Sequence, residues 1–82
     1  MDETDDTITL AYRRQFGDTV RLLRKHQHLS QEKLAQLANI DRAYMGRIER
    51  GETSVSLDKI WAISTALNTT PDRLFSDTKP VA

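Results

Sequence analysis

Gln31, Arg42, Ala43, Gly46 and Arg47 are the residues of this 82-residue chain best placed to act on another molecule. At helical spacing they project away from a set of apolar neighbours, Leu34, Ala38, Ile40, Met45 and Ile48, and leave a polar face free for a ligand. The chemistry of that face is binding. The sequence contains no cysteine, hence no thiolate nucleophile, no disulfide framework and no cysteine-based zinc site. It shows no nucleophile–base pair, no paired carboxylates and no phosphate-cradling glycine loop. His26 and His28 stand two apart, share no helix face and have no carboxylate cluster beside them, so they read as exposed ends of a helix. No enzyme, no metal and no cofactor are expected.

The elements that must position this face are short helices. Ser30 is placed to cap a helix over about 31–38, with Glu32 in its first turn and Leu34, Leu37 and Ala38 following at helical spacing. Asn39 interrupts it, and after glycine asparagine best tolerates the left-handed conformation of a sharp helix stop. Asp41 can cap the next helix, about 42–50, which Gly51 ends. Two helices joined this tightly pack at a steep angle only if a small residue faces the partner, and Ala35 supplies it. Before this pair, Leu10, Phe16, Val20 and Leu23 predict a helix over about 9–26, which Gly17 weakens slightly, with Arg24 and Lys25 at its C-terminus. Tyr12, Phe16 and Met45 read as core or near-core, and Arg13 and Arg14 as a solvated face, the alternative being an approach to phosphates. After the pair, Ser56 caps a helix of about 57–67 bearing Leu57, Ile60, Ile63, Ala66 and Leu67, with Leu57, Ile60 and Ile63 expected on its buried core stripe. Thr70-Pro71 then opens a last turn through about Phe75.

Length and composition set the frame. Eighty-two residues suffice for one domain, residues 9–75, flanked by an acidic flexible arm over 1–8 and a flexible tail over 76–82. No apolar run reaches membrane length and the start is acidic, so a cytoplasmic protein without a membrane partner is expected. The formal net charge is zero, but Asp2, Glu3, Asp5 and Asp6 precede the folded pattern. Between Leu10 and Phe75 there are eleven Lys and Arg against seven Asp and Glu, so the folded part is mildly basic.

The run SQEKLAQLANIDRAYMGRIERG, followed by SLDKIWAISTALNTTPDRLF, resembles the phage-repressor type of helix-turn-helix domain (Cro/C1, XRE-like), the group containing the lambda and 434 repressors. The resemblance covers about residues 10–75. It implies an all-α fold of five helices, with the second helix of the motif in the major groove of double-stranded DNA and the first across the backbone. By this resemblance Gln31 meets a phosphate at a helix N-terminus, where dipole and free N–H groups favour an anion anyway. Arg42, Ala43, Tyr44 and Arg47 take the outward positions of the recognition helix. Arginine offers a bidentate fork to guanine, Ala43 a contact for a thymine methyl, and the Tyr44 hydroxyl a donor to phosphate. Arg50 reads as a helix-end charge or phosphate contact. DRAY also resembles the equivalent run in controller proteins of restriction–modification systems. Where the family has basic residues after this helix, Glu52, Thr53 and Ser54 stand here, which weakens the electrostatic component.

Arg24 and Glu49 occupy positions where family members pair ionically between the first and third helices, a structural role that fixes the recognition helix. Trp61 lies at the edge of the fourth helix's core stripe, and a small monomer gains little by exposing indole. With Leu74 and Phe75 it is expected to form a two-fold homodimer contact, the alternative being a tryptophan that completes the monomer core. The expected function is a sequence-specific dimeric transcription regulator, a repressor, on a palindromic site. A phage-type repressor, a restriction–modification controller and an antitoxin all fit that description. The alternative is an interaction module that keeps the fold but takes a protein partner.

Overall fold

Side chains at the helix starts satisfy backbone N–H groups that have no partner within the helix. Ser30 Oγ accepts from the Lys33 N–H at 2.9 Å, Asp41 Oδ2 from those of Ala43 and Tyr44 at 3.0 and 3.3 Å, and Ser56 Oγ from that of Lys59 at 3.2 Å. In the computed structural model, which describes residues 3–76 and side chains from residue 7, these caps open three of five helices. They are α1 (Glu3–His26), α2 (Gln31–Ala38), α3 (Arg42–Glu49), α4 (Leu57–Ala66) and α5 (Pro71–Leu74), with no strand among the described residues. Thr70 makes no side-chain cap bond. Pro71 starts α5 through its fixed backbone angle, since its missing N–H is one that a first turn leaves unpaired.

The stops follow one scheme. His28, Asn39, Gly51 and Asn68 all adopt positive φ just past a helix. After α3 the Gly51 N–H bonds the Ile48 carbonyl at 3.1 Å and the Glu52 N–H bonds that of Arg47 at 2.9 Å. This is the paired pattern of a Schellman motif, and α1, α2 and α4 end the same way. Three of these four turns use a residue other than glycine.

The core is made by Phe16 and Val20 of α1, Leu34, Ala35 and Ala38 of α2, Met45 and Ile48 of α3, with Ile40, Ile63, Leu67 and Leu74. Helix α1 packs on α3 and α5, α2 on α3 and α4, and α4 on α5. Helix α1 meets the end of α3 at backbone contact. A methyl on Gly17 would lie 2.6 Å from the Glu49 carbonyl oxygen and also strike that of Ile48, and one on Gly51 would lie 2.8 Å from Arg14 Cα. Gly17 is therefore a packing residue, not a weakness.

Several expectations change. Helix α1 begins at Glu3, not near residue 9, so the segment read as a flexible arm is helical from Glu3 onward. Residues 3–8 contain neither glycine nor proline, and acidic residue types suit a helix start. Tyr12 and Leu57 are exposed, whereas Leu74 is fully buried. Of the expected tail, the Ser76 carbonyl accepts from Thr19 Oγ1 at 3.2 Å, and the remainder lies outside the described residues.

Candidate nucleic-acid interface

The Asp41 cap fixes where α3 begins, and so which of its residues face outward. Arg42 and Ala43 occupy the first two positions and Arg47 lies about one turn further on, all exposed. Met45 and Ile48 on the opposite side are buried and anchor the helix. Tyr44 lies between the two faces. Its ring packs on the core, and its hydroxyl donates to the Ser54 carbonyl at 2.8 Å, tying α3 to the loop before α4. The proton expected to reach a phosphate is thus already engaged within the chain.

Gly46 does not belong to the outward set; it is buried. A methyl there would meet Arg50 Nη1 at 3.1 Å and Gln31 Oε1 at 3.2 Å. The bare backbone of Gly46 is therefore the floor on which the Arg50 guanidinium and the Gln31 carboxamide come together, at the N-terminal end of α2. That end carries unpaired N–H groups and the positive pole of the helix. Arg50 Nε donates to Glu52 Oε2 at 3.0 Å, with both side chains more than half exposed. That hydrogen bond, with the attraction of the carboxylate, raises the Arg50 pKa. It also lowers that of Glu52; removal from water opposes the shift, and the charges of Arg50 and Arg47 add lesser support.

Behind this face lies a buried ionic network. Arg24 Nε donates to Glu49 Oε2 at 2.7 Å and Nη2 to Oε1 at 2.9 Å, a bidentate fork. Arg24 Nη1 donates to the Leu29 carbonyl at 2.9 Å, and Gln31 Nε2 to Glu49 Oε1 at 3.1 Å. One ion pair thus joins α1, the loop before α2, the first residue of α2 and the end of α3. Among the described residues no buried side-chain nitrogen or oxygen lacks a partner. With its hydrogen bonds satisfied the pair fixes geometry, whereas either member alone would be a stranded charge.

The surface expected between subunits is reached only in part. Trp61 and Phe75 are 55% and 56% exposed, and Phe75 rests against Phe16 at 5.2 Å between ring centres. Leu74 has no exposure and is a core residue; as the last residue of α5 it points inward while Phe75 points out. Leu57, one turn before Trp61 and exposed, is the residue that sequence reasoning assigned to the core instead. The Arg50–Gln31 meeting over Gly46 was also missed, because it depends on how α2 and α3 cross. Among the described residues no group of three His, Asp or Glu converges on a metal position, and no helix is long and apolar enough to cross a membrane.

Residues 20–74 match the helix-turn-helix family HTH_3. Over 64 residues the chain is 45% identical to control protein C.BamHI of Bacillus amyloliquefaciens, covering 77% of this chain and 79% of that protein. It is 43% identical over 63 residues to control protein C.MunI of a Mycoplasma species, covering 76% and 85%. In three dimensions it is similar to the restriction–modification controller protein C.AhdI of Aeromonas hydrophila. The TM-score is 0.78 at 46% identity, over 79% of this chain and 98% of that one.

Proposed function

Because the chain belongs to the HTH_3 family of helix-turn-helix DNA-binding transcription regulators, we propose that it works as a cytoplasmic homodimer reading a palindromic DNA site. Each α3 enters the major groove. Arg42 and Arg47 approach base edges, Ala43 a thymine methyl, and Gln31 and Arg50 the phosphates flanking the groove. The observation that carries this reading is the exposed series Arg42, Ala43 and Arg47 on a helix held from behind by the Arg24–Glu49 pair. A face clamped in this way loses little conformational freedom on binding. The dimer forms through Trp61, Leu57 and Phe75 on the side of α4 and α5. Similarity to controller proteins makes control of transcription in a restriction–modification system the setting that fits best.

Selection of bound duplexes from a random pool tests this. The expected product is a palindrome whose half-sites lie one helical turn, roughly 34 Å, apart. Recovery of unenriched sequence would remove the palindrome and the base reading, and recovery of no duplex at all would favour an interaction module with a protein partner.

A further inference from the structure

Glu52 stands where a basic residue would serve DNA binding better, and its position shows what it does instead. Its backbone N–H closes the end of α3, but its side chain caps no helix and lies outside the buried Arg24–Glu49 network. Its carboxylate accepts from Arg50 Nε at 3.0 Å on the open side of α3. The other end of that guanidinium lies over Gly46 beside the Gln31 carboxamide, at the N-terminal end of α2. A carboxylate on a guanidinium offers the same acceptor chemistry as a phosphate oxygen. Arg47 adds to the positive field that Glu52 feels.

We infer that Glu52 is an intramolecular stand-in for DNA phosphate, engaging Arg50 in the free protein and lowering affinity for any duplex regardless of sequence. This rests on the DNA-binding reading above. Both partners are largely in water, so the pair is weak enough for a phosphate to displace, and its effect is an attenuation rather than a block. Its carboxylate bonds Arg50 and acts on Arg47 only through the weaker field between the two charges, so base reading is largely kept and cognate and random DNA are weakened alike. Such an attenuator sets the protein concentration at which sites fill.

The test measures fluorescence anisotropy of a labelled random-sequence duplex with the wild type, Glu52→Gln, Arg50→Gln and the double variant. Glutamine keeps an acceptor for Arg50 and removes only the charge. Glu52→Gln should bind several-fold more tightly at low salt. Its salt slope should steepen by about 0.9, equivalent to about 3.5-fold more loss of affinity between 50 and 200 mM salt. In the Arg50→Gln background the gain should largely disappear. An equal gain in both backgrounds would show plain repulsion of phosphate and overturn the Arg50-engaging role. Unchanged or weaker binding by Glu52→Gln, with the wild type binding normally, would overturn it too. A wild type that binds no duplex at any salt would instead overturn the DNA-binding reading.

Discussion

Single residues divide here into those that touch DNA in the proposed complex and those that hold them. Arg42 is exposed at the first position of α3, and its guanidinium fork suits the O6 and N7 acceptors of guanine. Arg42→Ala should relax discrimination at one base pair in each half-site, by about 1–3 kcal/mol, when cognate and substituted duplexes are compared. Equal losses on cognate and random DNA would assign it to phosphate. Glu49 acts from behind. Glu49→Ala strands the buried Arg24 and frees the Gln31 amide, so denaturant unfolding should show a loss of about 3–5 kcal/mol. The ion pair could be anticipated from a family likeness because its residue types stand at matching positions. A phosphate contact for Arg50 could be anticipated too, but not its place over Gly46, which depends on Gly46 being bare and on Gln31 arriving from another helix.

At the scale of elements, caps and stops were legible because their chemistry is local: Ser30, Asp41 and Ser56 each bond an N–H two or three residues away. Crossings between helices were less legible. Gly17 looks like a flaw in α1 until the Ile48 and Glu49 carbonyls, distant in sequence, are brought against it. Gly17→Ala should force α1 from α3 and cost about 1–3 kcal/mol or more, measured by thermal or denaturant unfolding. Its effect on DNA affinity should exceed that of an equally destabilising change in α5, because α3 moves with the contact. His28 offers the opposite case. It holds a left-handed conformation after α1 at φ 60°, where a β-carbon is strained. His28→Gly should stabilise the fold by up to about 1 kcal/mol, with binding unchanged.

For the whole molecule, zero net charge hides a segregated distribution, with acidic residues before Thr7 and an arginine-bearing face on α3. Opposite the core side of α4, Leu57 and Trp61 leave apolar surface that a soluble monomer has little reason to keep. Trp61→Ala should shift the protein towards monomer in sedimentation equilibrium, and an unchanged mass would take Trp61 out of the interface. The sequence pattern located Trp61 at the stripe edge correctly but put Leu57 inside. A period of 3.6 residues identifies a face without saying how wide the neighbouring helix is. The central claim joins these scales: two copies of α3, related by a dyad, read one side of a duplex. Inserting about five base pairs, roughly half a helical turn, between the half-sites of the selected palindrome tests this most directly. The account predicts that affinity falls to that of an isolated half-site, since the second recognition helix then faces the wrong side of the duplex. Undiminished affinity would contradict it.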